Sequence, residues 1–293
     1  MGDTGDSWRL SEGDPITAEL TAMRRLGGGS AYEAYLAFDE ITFAPVVVKV
    51  VRPGRVDDEG TLRGLRREVT ALATVNHPVV VRALRHQVDG DRPHVVLEQI
   101  DGPRLSTLIR RYGPLQQQQY LPLAIDIASA LHYLRHIGWT HLDIKPSNVI
   151  MGAPARLIDM SVARPLSEAA ELRKPIGTDA YMAPEQCDPP DTGMPGHAGD
   201  VWGLAATVFE AVAGYRAFDD GDRESDDLAE RFPQLADEPY ELPGKVPPEV
   251  TTTLYAALDK DPDRRPLPSE FAEALEPVLA RQPRPRLAGF KVR

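Results

Sequence analysis

The sequence has one cysteine, Cys187, among its 293 residues. A lone cysteine cannot close an intramolecular disulfide, and without a second thiolate it cannot form a cysteine-ligated metal site. The sequence also lacks any run of about 18 to 20 apolar residues, the length that a membrane-spanning helix needs. Residues 1–11 are polar and show neither the basic start nor the apolar core of a signal peptide. These absences predict a cytoplasmic protein without a membrane span.

Positive charge is scarce, because 33 lysines and arginines face 44 aspartates and glutamates, which gives a net charge of −11. This balance argues against a general binder of nucleic acid or of anionic membranes. The exception is segment 281–293, whose charged residues are all basic: Arg281, Arg284, Arg286, Lys291 and Arg293. We interpret this segment as a solvated tail, with docking on an acidic regulatory partner or on lipid headgroups as the alternative.

Hydrophobic periodicity divides the chain into a strand-rich part and a helix-rich part. In the first part, the β-branched run 46–51 and the apolar run 95–97 predict strands. Between them, apolar residues three or four positions apart predict one amphipathic helix over residues 60–75. That stripe comprises Leu62, Leu65, Val69 and Leu72. The pair Gly102-Pro103 then ends the strand pattern.

Helices are expected to dominate the rest of the chain. An apolar stripe over 121–134 predicts a long helix that ends near Gly138, and 200–213 predicts a second, strongly apolar helix. The proline- and aspartate-rich stretches 187–199 and 219–248 are expected to be surface loops with little regular structure. We therefore predict an α+β protein with two lobes. The divisions are a small β-rich lobe with one helix (1–100), a larger helical lobe (101–280) and the tail (281–293).

The segment His-Leu-Asp-Ile-Lys-Pro-Ser-Asn at 141–148 carries the most specific chemical signal. It places the carboxylate of Asp143, the ammonium of Lys145 and the amide of Asn148 in one loop. Phosphoryl transfer needs such groups to orient a hydroxyl, to bind phosphate and to bind a metal ion. Eleven residues after Asn148, Asp159 ends another apolar run and supplies a second carboxylate.

Three further features fit phosphoryl transfer only in combination. The glycines at 27–29 let main-chain N–H groups approach a phosphate, although a triple glycine is more often a flexible turn. Lys49 lies in the apolar run 46–51, and Glu68 lies on the predicted helix. Each of these charges alone is typical of a solvent-exposed side chain. Their order and spacing favour a phosphate-binding loop followed by an ion-paired lysine.

With these motifs the chain resembles the eukaryotic-like (Hanks-type) bacterial Ser/Thr protein kinases, especially the actinobacterial ones, over about residues 15 to 280. The resemblance implies the bilobal protein-kinase fold, ATP with Mg²⁺ or Mn²⁺ as cofactors, and proteins with Ser or Thr acceptors as substrates. It implies that Asp143 orients the substrate hydroxyl and that Lys145 neutralises the γ-phosphate. It assigns Asn148 and Asp159 as the metal ligands.

The resemblance also implies a nucleotide pocket. Lys49 would contact the α- and β-phosphates and pair with Glu68. Leu97 would be the gatekeeper before the hinge, where the carbonyl of Glu98 and the N–H of Ile100 would meet adenine. The implied cofactor contacts are Leu26, Gly27, Gly28, Gly29, Ser30, Ala34, Val47, Lys49, Leu97, Glu98, Ile100 and Ile150.

Residues 177–185 resemble the substrate-docking segment of the family, and Thr178 within it fits Ser/Thr rather than Tyr specificity. The resemblance implies that Glu185 pairs with Arg265 and that Asp200 anchors the backbone of the catalytic loop. Small-molecule kinases of related fold lack these features, so the match disfavours the alternative of a small-molecule phosphotransferase.

Two departures from the family pattern lie in the nucleotide pocket. Tyr32 stands where the family has the third glycine of the glycine-rich loop. Its side chain is expected either to cover the phosphates or to pack on the helix over 60–75. Ala34 and Val47 exchange the usual Val and Ala beside the adenine ring, so the summed side-chain volume is conserved.

Two more departures concern regulation. Leu142 replaces the Arg that in the family pairs with a phosphate on the activation segment. The only hydroxyls between Asp159 and the docking segment are those of Ser161 and Ser167, so we predict activity that does not depend on phosphorylation of this segment. Met160 and Ser161 replace the usual Phe and Gly after Asp159, and Ser161 is expected to favour the metal-binding conformation.

We therefore predict an active Ser/Thr protein kinase. The alternative from a different class is a pseudokinase scaffold that binds ATP without efficient phosphoryl transfer. Tyr32 and Leu142 favour that alternative, whereas the presence of every catalytic charge argues against it.

Overall fold

The computed structural model describes residues 6–283. Within them, no helix is both long and apolar enough to cross a membrane. Most of the basic residues of the tail (Arg284, Arg286, Lys291 and Arg293) lie outside the described residues, so the predicted role of the tail in docking stays a prediction.

The small lobe is an antiparallel five-stranded sheet with one helix packed against it. Its elements are β1 (Leu20–Gly28), β2 (Tyr32–Asp39), β3 (Ala44–Val51), α1 (Glu59–Thr74), β4 (Ala83–Gln87) and β5 (His94–Glu98). The strand order is β1-β2-β3-β5-β4. The strands predicted over 46–51 and 95–97 are confirmed, as is the helix predicted over 60–75.

The pleat of β2, β3 and β5 directs two sets of side chains to opposite faces of the sheet. On β3 the valines at even positions are buried, and the side chain of Lys49 points to the other face because successive residues of a strand alternate. Ala34 lies opposite Lys49, and Val47 lies opposite Leu97. This register places all four residues on the face that looks into the cleft between the lobes.

Helix α1 begins at an aspartate cap and buries one acidic residue. The Asp58 carboxylate accepts a hydrogen bond from the main-chain N–H of Thr61 at 2.8 Å, which satisfies a free donor of the first turn. The predicted apolar stripe is correct for three of its members, but Val69 is only partly buried, whereas Glu68 is 1% exposed. Glu68 takes that place because a lysine of the sheet neutralises its charge.

Residues 6–14 run along the sheet before β1, and we call them the N-terminal strap. The indole Nε1–H of Trp8 donates to the carbonyl of Val51 at 2.7 Å. Glu33, fully buried on β2, accepts hydrogen bonds from the Ser7 hydroxyl at 2.7 Å and from the Trp8 N–H at 3.1 Å. Burial raises the pKa of Glu33, but these hydrogen bonds outweigh it and hold the pKa below its ordinary value. The strap therefore stabilises the ionised carboxylate next to the glycine-rich loop.

The large lobe is mainly helical. Its helices are α2 (Leu105–Tyr112), α3 (Gln117–His136), α4 (Leu166–Ala169), α5 (Pro184–Cys187), α6 (Pro189–Thr192), α7 (His197–Ala213), α8 (Leu228–Arg231), α9 (Pro248–Ala257) and α10 (Pro268–Ala280). Two short strand pairs join β6 (Trp139–Thr140) to β9 (Arg164–Pro165) and β7 (Val149–Ile150) to β8 (Arg156–Leu157). The two long predicted helices correspond to α3 and α7, and α7 is buried along nearly its whole length.

The prediction of irregular loops over 187–199 and 219–248 is wrong in part. The first stretch contains α6 and the start of α7, and the second contains α8 and a 3₁₀ turn. The Asp227 carboxylate caps α8 by accepting the N–H of Ala229 at 2.8 Å, and Phe232 after α8 is fully buried beside Met182 and Cys187. Burial of Phe232 fixes the position of this acidic segment against the large lobe. The composition of the segment alone predicts only an exposed loop.

Candidate active site

A cavity of about 340 Å³ lies between the two lobes. The sheet supplies its roof, and residues just before β7 and just after β8 supply its floor. The cavity is lined by Gly27, Gly28, Gly29, Tyr32, Glu33, Ala34, Val47, Lys49, Glu68, Leu97, Arg104, Asn148, Ile158, Asp159 and Ser161. The structure thus brings together the loop glycines, the lysine and the two residues predicted to bind metal, which lie far apart in the sequence.

Lys49 is the central charge of this cavity. Its Nζ lies 3.0 and 2.7 Å from the two carboxylate oxygens of Glu68, and 3.1 Å from Oδ1 of Asp159. Burial lowers the pKa of Lys49, but the two carboxylates outweigh it and hold the pKa above its ordinary value. The lysine is therefore a fixed positive charge that joins the sheet, α1 and the large lobe.

The backbone of Asp159 has a conformation that few residues other than glycine adopt. Its φ angle is 70°, in the left-handed region. The main-chain N–H of Ser161 donates to Asp159 Oδ1 at 3.2 Å. Burial raises the pKa of Asp159. The charge of Lys49 and the hydrogen bonds from Ser161 lower it by a larger amount, so the pKa lies below its ordinary value and the carboxyl is ionised at neutral pH. Ser161 thus supports the ionised, inward-facing carboxylate.

Asp200, near the start of α7, holds the backbone that leads into the catalytic loop. Its carboxylate accepts the Thr140 hydroxyl at 2.7 Å and the main-chain N–H groups of His141 and Leu142 at 2.8 and 2.7 Å. Leu142 has a φ of 64°, and its carbonyl accepts a hydrogen bond from Gln186 Nε2 at 2.9 Å. Side chains from α5 and α7 therefore fix the strained residue before Asp143.

The carboxylate of Asp143 is the meeting point of three donors. Lys145 Nζ lies 2.7 Å from its Oδ2, and the Thr178 hydroxyl donates to its Oδ1 at 2.7 Å. Lys145 also donates to the Thr178 hydroxyl at 2.6 Å, and Asn148 Nδ2 lies 3.1 Å from Oδ2. The carboxylate already accepts one alcohol hydrogen bond and sits beside an ammonium group. It can accept the hydroxyl of another molecule in the same way.

The docking segment is tied to the large lobe by buried polar contacts. Arg265 donates from Nη1 and Nη2 to the two carboxylate oxygens of Glu185 at 2.6 and 2.9 Å, and both side chains are 0% exposed. The Tyr181 hydroxyl lies 2.5 Å from the Glu210 carboxylate on α7. These contacts place residues 177–185 in front of Asp143.

The structure shows the second of the two placements predicted for Tyr32. The hydroxyl of Tyr32 donates to the main-chain carbonyl of Thr61 on α1 at 2.8 Å. Ala34 and Val47, which exchange the usual Val and Ala of the family, both line the cavity. Their shared position is consistent with the predicted conservation of summed side-chain volume.

The cavity also has members that sequence reasoning missed. Glu33, Arg104 and Ile158 line it without having been predicted to do so. Ile158 had a signal, because it directly precedes Asp159 in an apolar run, whereas Arg104 follows a proline and had none. Five predicted cofactor contacts do not line the cavity and stay predictions: Leu26, Ser30, Glu98, Ile100 and Ile150.

The donor set of the cavity fits a magnesium ion held partly by phosphates. Asp159 offers a carboxylate, and Asn148, whose Nδ2 donates to Asp143, has its amide oxygen left to bind a cation. Magnesium prefers such oxygen ligands and is commonly held by one or two side chains plus substrate phosphates. In residues 6–283 no group of three His, Cys, Asp or Glu side chains is arranged to hold a metal ion.

Several bacterial serine/threonine-protein kinases are similar to the chain. It is 31% identical over 270 residues to the "Probable serine/threonine-protein kinase PkwA" of Thermomonospora curvata, covering 91% of this chain and 35% of that protein. It is 30% identical over 288 residues to the serine/threonine-protein kinase PkaB of Streptomyces coelicolor, covering 94% of this chain and 65% of PkaB. It is 27% identical over 266 residues to PrkC of Bacillus subtilis, covering 89% and 40%.

The chain thus spans about one third to two thirds of the length of these curated relatives. A family model described as "Protein kinase domain" matches residues 20–276, which include most of both lobes and every residue of the cavity. Since this match covers far more than half of the sequence, the chain belongs to the protein kinase family.

Proposed function

We propose that this chain transfers the γ-phosphate of ATP to serine or threonine hydroxyls of proteins. The observation that carries the proposal is the position of Lys49. Its Nζ bonds both Glu68 and Asp159 inside a cavity that Asn148 also lines. A protein kinase needs this lysine–glutamate pair and the metal-binding aspartate in place at the same time.

Each residue then has a distinct task. Lys49 holds the α- and β-phosphates, while Asp143 accepts the hydrogen bond of the attacking hydroxyl and orients its oxygen towards the γ-phosphorus. Lys145, 2.7 Å from Asp143, balances the charge of the transferred group. Protein kinases use ATP with a divalent metal ion, and Asn148 and Asp159 would hold it here. A divalent ion held there would supply positive charge that offsets the negative charge of the phosphates.

The adenine and sugar of ATP are proposed to lie under the sheet. Ala34, Val47 and Leu97 form an apolar wall of the cavity, and the hinge after β5 offers the Glu98 carbonyl and the Ile100 N–H. We further propose Leu26, Ser30 and Ile150 as contacts at the rim, and Gly27, Gly28 and Gly29 as the phosphate-binding loop.

We also propose the lobe boundaries at residues 100 and 280. In support, the last strand of the five-stranded sheet ends at Glu98, and α10 ends at Ala280. The predicted cytoplasmic location stays a prediction.

Transfer of labelled phosphate tests the proposed function. We expect the wild-type protein, given ATP with Mg²⁺ or Mn²⁺, to label a generic protein substrate on serine or threonine. Lys49→Met should lower that rate by at least about 10²-fold, because it removes a charge that stabilises the transition state. Lys260→Met, whose ammonium contacts the carbonyl of Ala236 far from the cavity, is the matched control.

Three results would contradict the proposed function. Wild-type protein that binds ATP without transfer would support the pseudokinase scaffold, and labelling of a small molecule alone would support the phosphotransferase alternative. Equal rates for wild type and Lys49→Met would point to a contaminating kinase.

Side chains of α5 and α7 hold the main chain of Leu142, the residue that stands where the family has its phosphate-binding Arg. Leu142 is buried, and Asp200 and Gln186 fix its main chain. We therefore expect Ser167→Ala, at an exposed position of α4, to retain activity within about twofold of wild type. Phosphatase-treated wild type should also keep its activity within about twofold in the same assay. Ser129→Ala, at an exposed position of α3, is the control. Loss of activity in both the variant and the treated protein would show that phosphorylation is required.

A further inference from the structure

Tyr32 makes contacts that the family pattern does not explain. It begins β2, where the family has a glycine, and its hydroxyl donates to the carbonyl of Thr61 on α1 at 2.8 Å. The Nζ of Lys49 lies 4.9 Å from the centroid of its ring, within range of a cation–π interaction. Burial raises the pKa of Tyr32 to about 12, so the hydroxyl keeps its proton and remains a donor. One side chain therefore contacts both the helix and the lysine.

Helix α1 has a notch that accommodates this hydroxyl. A Cβ atom on Gly64 would lie 3.1 Å from the Tyr32 hydroxyl oxygen, closer than side-chain carbons ordinarily approach. Glycine is a poor residue for the interior of a helix, and Gly64 lies in the middle of α1. Its missing side chain is what lets the hydroxyl reach the main chain of the helix.

The contact lies on the same side of α1 as Glu68. Thr61 and Glu68 are seven residues apart, which is about two turns of helix and about 10 Å along its axis. A bond from β2 to Thr61 and the ion pair from β3 to Glu68 thus join the helix to the sheet at two points. Two points fix both the distance and the tilt of α1, whereas the ion pair alone fixes only one point.

We propose that Tyr32 is a positioning residue that holds α1 against the sheet, so that Glu68 stays within reach of Lys49. This inference rests on the proposed kinase function. The Lys49–Glu68 pair must be in place for catalysis, and phosphorylation of the activation segment is one way in which kinases secure it. Leu142 replaces the Arg that would bind that phosphate. A hydrogen bond within the small lobe can keep the Lys49–Glu68 pair in place instead.

Tyr32→Phe isolates the hydroxyl, because it removes one hydrogen bond and keeps the ring beside Lys49. On the phosphatase-treated protein we expect kcat to fall about fivefold, the effect of losing about 1 kcal/mol of one hydrogen bond. KM for ATP should stay within about twofold, and main-chain amides of residues 59–68 should exchange hydrogen faster. Tyr32→Gly, which also removes the ring, should lower kcat more than Tyr32→Phe does.

Tyr35→Phe is the matched control. Tyr35 lies on the same strand, is fully buried and donates its hydroxyl to Glu33 at 3.0 Å, but it faces away from α1. Its loss should lower the stability of the small lobe while kcat and the exchange of residues 59–68 stay at the wild-type level. This separates positioning of the helix from general destabilisation.

Gly64→Ala provides an independent test of the notch. The added methyl group must push the Tyr32 hydroxyl away by a few tenths of an ångström, so kcat should fall in the wild-type background. In the Tyr32→Phe background the oxygen is gone, and the same substitution should cost nothing further. This non-additivity is expected only if the two residues act through one contact.

Three results would overturn the proposal. Tyr32→Phe with wild-type kcat and wild-type exchange of α1 would show that the hydroxyl positions nothing. A rise in KM for ATP with unchanged kcat would instead make Tyr32 a cover for the phosphates. Additive effects of Gly64→Ala and Tyr32→Phe would show that they act separately. If wild type transfers no phosphate, the proposed function fails, and the exchange of α1 alone still decides whether Tyr32 holds the helix.

Discussion

Asp143→Asn is expected to lower kcat by at least about 10²-fold while ATP still binds with wild-type affinity. The substitution keeps the shape of the side chain but replaces one acceptor oxygen with an NH₂ group. Asp143 receives hydrogen bonds from Lys145, Asn148 and Thr178. An amide cannot accept all of these and also a substrate hydroxyl, because one of its two terminal atoms is only a donor.

The measurement is single-turnover transfer from labelled ATP, together with a titration of ATP binding. Asp126→Asn is the matched control, since Asp126 is a partly buried carboxylate of α3 that accepts the N–H of Ala155 at 2.8 Å, outside the cavity. That variant should keep its rate. A rate for Asp143→Asn within tenfold of wild type would contradict the assigned role and point to another group as the acceptor of the hydroxyl.

The parts that the sequence predicts well are those in which neighbouring residues carry the whole signal. The β-branched run of β3 is continuous over a few residues and predicts a strand by itself. Asp143, Lys145 and Asn148 lie within one loop, so their relative positions hardly depend on the rest of the chain. Asp159 ends a short apolar run in the same way. In each case the signal lies in adjacent residues, although the meeting of Asp159 with Lys49 depends on the tertiary fold.

The parts that stay hidden depend on contacts between distant segments. The placement of Tyr32 against α1 depends on the space left by Gly64, which lies 32 positions away in the sequence. Gly64 belongs to no motif that would predict this contact. Glu33 has a lowered pKa inside the protein because Ser7 and Trp8 of the N-terminal strap, together with Tyr35 and Arg25, stabilise its carboxylate. Neither hydrophobic periodicity nor a motif encodes such a pairing.

A buried polar side chain shows the same limit within the large lobe. Gln186 Nε2 donates to the carbonyls of Leu142 and Ile176, both at 2.9 Å. It thereby links the catalytic loop to the end of the activation segment. The sequence alone gives only a glutamine after Glu185, a residue type that is usually exposed.

Arg265→Met is expected to lower the free energy of unfolding by about 3–5 kcal/mol. It leaves the Glu185 carboxylate, which is 0% exposed, without a positive partner. It also removes a hydrogen bond from Arg265 Nε to the carbonyl of Asp259 at 2.7 Å and the contact of the guanidinium with the Trp202 ring at 5.0 Å. A loss of this size is a large share of the total stability of about 5–15 kcal/mol of a typical protein.

The neighbouring arginine supplies the control. Arg264 is 73% exposed at its side chain and pairs with Asp261 on the surface at 3.3 Å, so Arg264→Met should change the stability by no more than about 0.5 kcal/mol. Urea unfolding of the three proteins measures the difference as a shift of the midpoint at constant slope. Equal midpoints for Arg264→Met and Arg265→Met would contradict the buried pair.

The double variant Glu185→Leu/Arg265→Met separates the two causes of the loss. If the cost of Arg265→Met arises mainly from the unpaired buried carboxylate, removing that carboxylate as well should recover part of the stability, because apolar side chains of similar volume often replace a buried pair without loss. The double variant should therefore unfold at higher urea than Arg265→Met alone. A midpoint below that of the single variant would instead assign the stabilisation to the bonds that Glu185 and Arg265 make as a pair.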